Sequence, residues 1–371
     1  MKIHCAVLDG IGVPRPYVRT KPLTICELDL DPPGDHELLV RIDVAGLCHS
    51  DLSVVDGSRV RPTPMVLGHE AAGTVVEVGA AVTDIRPDRK VVMTFLPRCG
   101  QCRACATDGR IPCENGSESN DKGTLLTGAV RLSRDGAPVL HHLGVSGFAT
   151  YAVVDRRSVV PVDDDVPSDV AALMGCAVLT GGGAVLNAGR PRPGSRVVVV
   201  GLGGVGMAAV LTALSEDGLH VTAVDTLDAK REQALTLGAH AVCSPDEAID
   251  IGLRADVVIE AAGNPRAFET AVALTGPGGS TVTVGLPGPS ATATISPLGL
   301  VAQGRTITGS YLGSAVPSRE IPQFIQRWRQ GRLPVERLVS SRVELSAVNS
   351  ALDALSSGEG LRHLITFEEF Q

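Results

Sequence analysis

The chain has 371 residues, of which 44% are hydrophobic and 42 are glycine, and it carries a formal net charge of −8 with an isoelectric point near 5.6. This acidic balance excludes general nucleic-acid binding, which needs a basic surface. The N-terminus lacks an apolar segment of the secretory type, and no stretch approaches the roughly 18 apolar residues that span a bilayer. We therefore expect a soluble, cytoplasmic protein with no membrane partner, and the length predicts two domains.

The first half of the chain predicts irregular β structure. Clusters of proline and glycine interrupt short alternating runs there, such as Leu38–Val44 and Thr74–Val78. After the proline-rich stretch at residues 190–195, six strand-like apolar runs alternate with helical segments, which is typical of a doubly wound parallel sheet. A helix is predicted over Arg319–Gln330 and a last strand over Leu361–Phe367. The predicted fold class is α/β, with a Rossmann doubly wound parallel six-stranded sheet and a β-rich domain.

A glycine-rich turn follows the first of these six runs. The sequence VVVVGLGGVGMAAV places Gly201, Gly203 and Gly206 in G-x-G-x-x-G spacing, where backbone can approach a pyrophosphate at a helix N-terminus. Asp225 ends the next run, 225 − 206 = 19 residues beyond the third glycine, where a carboxylate can accept ribose hydroxyls and repel a 2′-phosphate. These residues predict NAD rather than NADP as cofactor. Lys230 is either a second ribose contact or a solvated surface lysine.

Four of the nine cysteines lie within fifteen residues, CGQCRACATDGRIPC. A reducing compartment and an odd number of cysteines argue against disulfides. The spacing instead predicts a tetrahedral zinc site in which four thiolates leave no open position, so that the zinc is structural; an iron–sulfur cluster is the alternative. The predicted ligands are Cys99, Cys102, Cys105 and Cys113.

Three further residues could form a second metal site. Cys48 in GLCHSD, His69 in GHEAAG and Cys176 in MGCAVLTG supply two thiols and an imidazole, a set that leaves one coordination position open for catalysis. Because the three residues lie far apart along the chain, their spacing alone does not show that they meet in the folded protein. Buried cysteines and a satisfied core histidine are the alternative interpretation.

These motifs, taken in order, resemble those of the zinc-dependent alcohol dehydrogenases of the medium-chain dehydrogenase/reductase superfamily. The segment Gly68–Gly73, with Gly79 and Val82 beyond it, is similar to the family's zinc signature. The resemblance covers essentially the whole chain, and residues 114–150 resemble the longer liver-type, class III-like branch. It implies a discontinuous GroES-like catalytic domain at 1–177 and 312–371 around an NAD-binding Rossmann domain at 178–311.

The resemblance also implies roles for individual residues. Cys48, His69 and Cys176 would hold a catalytic zinc, the second of two zinc ions per subunit, with Glu70 nearby or as an alternate ligand. Asp51 would support His69, and Ser50 would take the alcohol proton. Implied contacts to NAD, besides Gly201, Gly203, Gly206, Asp225 and Lys230, come from His49, Thr180, Gly204, Val205 and Arg362, with His49 and Arg362 on the pyrophosphate. A homodimer is expected through the edge of the coenzyme sheet near residues 300–312, with a tetramer as the alternative.

One position departs from the family pattern. The family's proton relay often ends at a histidine three residues after the position of Ser50, and this chain has Ser53 there. A serine passes a proton only by donating and accepting together or through water, because it cannot store one. We expect slower proton release or a shifted pH profile, with activity retained.

The substrate is less well specified by the sequence. The resemblance implies zinc-dependent, reversible oxidation of a primary alcohol, apolar or aromatic, to its aldehyde, with hydride transfer to NAD. The alternatives are a thiol-dependent formaldehyde dehydrogenase and a non-catalytic NAD-binding protein. The predicted pocket comprises the largely apolar positions Phe95, Leu143, Leu286 and Tyr311, with Arg59, Glu118 and His142 as polar positions at its rim.

Overall fold

The computed structural model describes residues 1–370 and divides into two compact units. The first contains Met1–Cys176 together with the C-terminal segment that begins at Val339. The second contains Ala177–Leu338. The polypeptide therefore leaves the first unit once and returns to it.

The strands and helices alternate through both units. The strands are β1 (Lys2–Leu8), β2 (Leu23–Leu30), β3 (Glu37–Leu47), β4 (Met65–Val66), β5 (Glu70–Val78), β6 (Lys90–Met93), β7 (Leu132–Arg134), β8 (Ala137–His141), β9 (Tyr151–Asp155), β10 (Val159–Pro161), β11 (Arg196–Val200), β12 (His220–Val224), β13 (Ala241–Cys243), β14 (Ala255–Glu260), β15 (Thr275–Thr283), β16 (Thr306–Gly309), β17 (Val339–Glu344) and β18 (Arg362–Thr366). The α-helices are α1 (Tyr17–Thr20), α2 (His49–Val55), α3 (Glu114–Lys122), α4 (Ser168–Leu173), α5 (Leu179–Gly183), α6 (Gly204–Leu214), α7 (Asp228–Leu237), α8 (Pro245–Asp250), α9 (Pro265–Leu274), α10 (Pro297–Gln303), α11 (Pro317–Arg329) and α12 (Val348–Ser356). Wider π turns cover Met174–Val178 and Ala184–Gly189, and single 3₁₀ turns cover Arg103–Thr107, Arg156–Ser158, Tyr311–Ser314, Val335–Leu338, Leu345–Ala347 and Glu368–Phe370.

The first unit is built from two β layers. One is a closed barrel with the strand order β1-β2-β7-β8-β4. The other is a seven-stranded sheet in the order β10-β6-β5-β3-β18-β17, with β9 also paired to β3. Alternating apolar residues of β3 and β5 pack with α2 and α12 in one buried cluster that includes Val40, Ile42, Leu52 and Leu352. The predicted β-rich domain is confirmed.

The pairing of β3 with β5 fixes where two predicted metal ligands lie. The two strands are antiparallel, and Gly46 near the end of β3 pairs with Glu70 at the start of β5. Cys48 follows β3 immediately and His69 precedes β5 immediately. Because the end of one strand lies beside the start of its antiparallel neighbour, both residues leave the sheet at the same edge.

The second unit contains the predicted parallel sheet. All six apolar runs form strands, in the order β13-β12-β11-β14-β15-β16, and every pairing is parallel. The first strand of the unit thus lies inside the sheet and the order reverses there, which is the Rossmann arrangement. The valines of β11 are almost fully buried, as expected for a strand covered on both faces. The predicted Rossmann fold is confirmed.

The predicted domain boundaries differ from the observed ones at the C-terminal side. Residues 312–338, expected in the catalytic domain, belong to the second unit. The reason is the packing of α11: the Phe324 ring lies so close to Gly182 that a Cβ there would sit 2.6 Å from it, and Arg327 forms an ion pair of 3.0 Å with Glu216. The boundary near 177 differs by one residue.

The expectation that no segment is long and apolar enough to cross a membrane is also wrong. The continuous helical segment Ser168–Gly189 has 22 residues and meets that test by length and composition. Since 89% of its apolar window is buried inside the protein, the segment is explained as a core helix.

Asn349 connects the C-terminal helix of the first unit to its second strand. The Asn349 amide donates to Leu23 O at 2.8 Å and accepts from Leu23 N at 3.1 Å, and the side chain is buried. We predict that Asn349→Ala, which leaves both backbone groups unpaired, destabilises the protein by about 1–3 kcal/mol. The urea midpoint measures this. Ser350→Ala, on the exposed side of the same helix, is the control; equal midpoints for both variants would contradict the prediction.

Candidate active site

Two thiols and one imidazole converge in the first unit. The potential ligand atoms of Cys48, His69 and Cys176 all lie within 4.8 Å of one another, and all three residues are buried. Cys176 Sγ is 3.5 Å from His69 Nε2. The strand register brings Cys48 and His69 together, and Cys176 enters from the π turn that follows α4. The structure thus assembles the three residues that the sequence singled out.

The carboxylate of Asp51 organises this cluster. Asp51 is buried, and its oxygens accept hydrogen bonds from the backbone N–H of Cys48 at 3.0 Å and of Gly68 at 3.2 Å. Asp51 Oδ1 also lies 3.0 Å from His69 Nδ1. A carboxylate on Nδ1 fixes the tautomer and leaves Nε2 as the ligand atom. Burial disfavours the ionised carboxyl, but the charge of His69 and hydrogen bonds from the neighbouring histidines hold the pKa of Asp51 below its usual range.

His142 is a further part of this network, and its predicted position at a pocket rim is wrong. Its side chain is buried, its Nδ1 lies 3.2 Å from Asp51 Oδ1, and its ring contacts His69 edge-on at 5.4 Å between centroids. Burial lowers the pKa of His142, which keeps the ring neutral. No periodicity or spacing along the chain indicates this contact, because His142 reaches Asp51 only through the folded barrel.

Behind the thiols lies a buried ion pair. Arg362 Nε is 3.3 Å from Glu70 Oε1, and both side chains are excluded from solvent. Glu70 packs so closely over Gly46 that a Cβ at that position would lie 2.3 Å from its carboxylate oxygen, which explains the glycine. Arg362 is therefore no surface arginine. Its predicted contact with a pyrophosphate stays a prediction.

The donor set fits a zinc ion with an open coordination position. Two cysteines and one histidine are the ligand types and number expected, and their atoms lie close enough to share one ion. A hydrogen bond from the Cys176 thiol lowers the pKa of Cys48 and raises that of Cys176, while the nearby Arg362 guanidinium further favours the Cys48 thiolate. Cys48 is thus the sulfur that ionises first, and Cys176 releases its proton when a metal ion binds.

The four clustered cysteines form a separate site. Cys99 Sγ lies 3.9 Å from Cys105 Sγ, and Cys102 Sγ lies 3.9 Å from Cys113 Sγ. All four sulfur atoms are within 4.8 Å of one another, as tetrahedral ligation of one ion requires. Backbone N–H groups point at the sulfurs, including those of Gly100 and Cys102 at 3.4 Å. No cysteine within residues 1–370 forms a disulfide.

In the second unit, the glycine-rich turn joins β11 to α6. Gly201 has a φ of +90°, and Gly206 lies so close to it that a Cβ on Gly206 would be 1.8 Å from Gly201 O. Gly203 is exposed, and a Cβ there would meet nothing within 4 Å. Gly206 is thus required for the turn itself, whereas Gly203 leaves backbone open to a ligand at the N-terminus of α6.

Asp225 directly follows β12 and lies beside this turn. Its carboxylate accepts from Leu202 N at 2.7 Å and from Leu227 N at 2.9 Å, so two backbone amides hold it in place. Lys230 is buried, contrary to the interpretation of a solvated lysine.

Other predicted cofactor contacts lie around α5 and α6. Thr180 lies next to Gly181, where α5 packs against the carbonyl of Val205. Gly204 is the first residue of α6.

The remaining predicted residues are spread over both units. In the first, the Phe95 ring contacts His69 edge-on at 5.6 Å and Leu143 is buried, whereas His49 is exposed. Glu118 is exposed, paired with Lys122, and lines a polar cavity beside Cys99. The others are Ser50 and Arg59, partly buried in the first unit, and Leu286 and Tyr311 in the second. Their roles in a substrate pocket stay predictions.

We predict that Cys105→Ser removes one zinc ion per chain and lowers the thermal transition, because the loop loses one of four ligands. Zinc content by atomic absorption and calorimetry measure both effects. Cys243→Ser is the control, since Cys243 is buried outside both metal clusters. Unchanged zinc content in Cys105→Ser would show that these thiols hold no metal.

Comparison with known proteins shows what this architecture resembles. Residues 34–164 match the alcohol dehydrogenase GroES-like domain, and residues 204–330 match the zinc-binding dehydrogenase domain. An NDMA-dependent alcohol dehydrogenase from Amycolatopsis methanolica is 36% identical over 98% of this chain and 99% of its own.

Two solved structures are similar over nearly the whole chain. The alcohol dehydrogenase zinc-binding domain protein from Burkholderia ambifaria has a TM-score of 0.91 and 32% identity, covering 99% of both chains. Benzyl alcohol dehydrogenase from Acinetobacter calcoaceticus has a TM-score of 0.90 and 29% identity, again covering 99% of both chains. With its two ligand clusters and its paired domains, the chain belongs to the zinc-type alcohol dehydrogenases of the medium-chain dehydrogenase/reductase superfamily.

Proposed function

We propose that the protein oxidises a primary apolar or aromatic alcohol to its aldehyde, reversibly, with NAD as the hydride acceptor. The observation that carries this proposal is the buried set of Cys48, His69 and Cys176, since three protein ligands leave one position for a substrate oxygen. The similarity to a benzyl alcohol dehydrogenase supports an aromatic substrate.

Zinc held by these three residues would polarise the alcohol oxygen and lower the pKa of its hydroxyl, and NAD would accept the hydride. The chain itself has to remove the proton. Ser50, in the first turn of α2 two residues beyond Cys48, would accept it at Oγ while donating its own proton onward. Ser53 Oγ donates to His49 O at 2.9 Å, so its hydrogen is already engaged within the helix. We therefore assign onward transfer to water or a cofactor hydroxyl.

Two apolar side chains support a dry substrate site in the first unit. Phe95 is buried against the His69 ring, and Leu143 is buried close in sequence to His142. Apolar walls beside the ligand cluster favour an apolar alcohol and keep competing water away.

Support for NAD comes from Asp225. Its carboxylate is fixed by two backbone amides, and a 2′-phosphate beside it would be repelled. One relative is NDMA-dependent, so NDMA is a second candidate for the electron acceptor. The two candidates differ in whether added NAD alone supports turnover.

We predict that zinc-replete protein oxidises benzyl and other primary alcohols with NAD at a higher kcat/KM than with NADP. The assay compares NAD, NADP and NDMA over a panel of primary and secondary alcohols, with zinc measured in the same samples. Cys176→Ser should lower the rate by about 100-fold or more, because a ligand of the open site is lost. Cys243→Ser is the matched control.

Other outcomes of the same assay identify the alternatives. Turnover with NDMA and none with NAD would show that NDMA, and not NAD, is the electron acceptor. Formaldehyde oxidation only with added glutathione would indicate the thiol-dependent reaction. Cofactor binding without turnover on any substrate would contradict an enzymatic role.

Substitutions at Gly203 and Gly206 distinguish an effect on cofactor binding from an effect on stability. We predict that Gly203→Ala weakens NAD binding with little change in Tm, since the added Cβ meets no protein atom and would face only a ligand. Gly206→Ala should lower Tm with or without NAD, because its Cβ would clash with Gly201 O. Fluorescence titration and calorimetry measure the two effects. Wild-type NAD affinity in Gly203→Ala would contradict cofactor binding at this turn.

A further inference from the structure

Two cysteines outside both metal-ligand sets lie side by side on neighbouring strands of the barrel. Cys5 in β1 and Cys26 in β2 are direct partners in the antiparallel register. Directly opposed residues have Cα atoms about 4.5–5.5 Å apart, which is inside the range that a disulfide spans. Cys5 Sγ donates to Cys26 O at 3.6 Å, and both side chains join the same apolar cluster.

The two thiols differ in exposure and charge. Cys5 is fully buried, whereas Cys26 is half-buried. A hydrogen bond from Cys5, together with the Arg134 guanidinium, lowers the pKa of Cys26 to about 7, although burial and Asp9 oppose this. The same hydrogen bond and burial raise the pKa of Cys5. Near neutral pH a substantial share of the reachable sulfur is therefore thiolate, while the buried one keeps its proton.

This difference in exposure and pKa matches the different roles of the two sulfurs in an oxidisable dithiol. The attacking sulfur needs thiolate character and access, and the second needs only proximity. Seven of the nine cysteines belong to the two metal clusters, and Cys243 has no cysteine partner in the described chain. Cys5 and Cys26 are thus the pair that remains.

We propose that Cys5 and Cys26 form a reversible oxidation site for hydroperoxides, in which Cys26 reacts first and Cys5 resolves the product. The Cys26 thiolate attacks the O–O bond of hydrogen peroxide, so that an S–O bond forms, the O–O bond breaks, and the hydroxide released takes up a proton as water. The Cys5 sulfur then attacks the Cys26 sulfur; an S–S bond forms, the S–O bond breaks, and the departing hydroxide leaves with the Cys5 proton as a second water. Two thiols are oxidised by two electrons and one peroxide is reduced.

The product would connect strands that are already paired. β1 also pairs with β4, whose two residues precede the Gly68–His69 segment. A disulfide between Cys5 and Cys26 would therefore join neighbouring strands of the barrel covalently at a position where the register is already set.

The test uses the zinc-loaded full chain and equimolar hydrogen peroxide, followed by alkylation and peptide mass spectrometry under non-reducing conditions. We expect the Cys5 and Cys26 peptides to be linked, the link to be reversed by dithiothreitol, and the zinc content to stay unchanged. Cys5→Ala should stop at a sulfenic acid on Cys26 that dimedone traps. Cys26→Ala should leave Cys5 unmodified, and Arg134→Gln should slow linkage about threefold or more.

Cys243→Ala is the matched control and should form the Cys5–Cys26 link at the wild-type rate. The proposal is overturned if zinc-ligand cysteines oxidise and release zinc before the link forms. Oxidation of Cys5 in Cys26→Ala at the wild-type rate would also overturn it, as would the absence of a dimedone adduct in Cys5→Ala. None of these readouts depends on alcohol oxidation, so they stand apart from the proposed function.

Discussion

The buried carboxylate of Asp51 is the constraint on which the metal-binding side of this protein depends. One side chain holds the turn at Cys48, the loop at Gly68 and the ring of His69. A buried ionised group is costly unless it is hydrogen-bonded, and here two backbone amides and the His69 ring bond to the carboxylate. Two of the three potential ligands, Cys48 and His69, are therefore held in position by hydrogen bonds within the protein.

The register of the strands positions the potential metal ligands as much as the side-chain hydrogen bonds do. Because Gly46 pairs with Glu70, the two strands deliver Cys48 and His69 to one sheet edge, and a slip by one residue would turn a ligand away. The same pairing sets Glu70 over Gly46 and against Arg362 from β18. Three segments distant in sequence thus meet through backbone hydrogen bonding and need no flexible loop to bring them together.

Features that are local in sequence could be predicted, and features that depend on tertiary packing could not. The turn at Gly201–Gly206 and the four-cysteine loop are each specified within about fifteen residues, and both folded as their spacing indicated. Residue types alone left open whether Cys176 meets His69, since more than a hundred residues separate the two along the chain. The burial of His142 and the membership of 312–338 in the second unit arise from long-range packing that no periodicity encodes.

The two sets of potential metal ligands differ in their solvent exposure. Cys48, His69 and Cys176 are buried, whereas Cys102 and Cys105 are only half-buried on a short surface loop. Zinc ions bound at both places would exchange with chelators at different speeds, the outer one sooner. In a preparation short of zinc, the four-cysteine loop would then be ordered in some molecules and not in others. The buried Cys48, His69 and Cys176 set would keep its zinc in all of them.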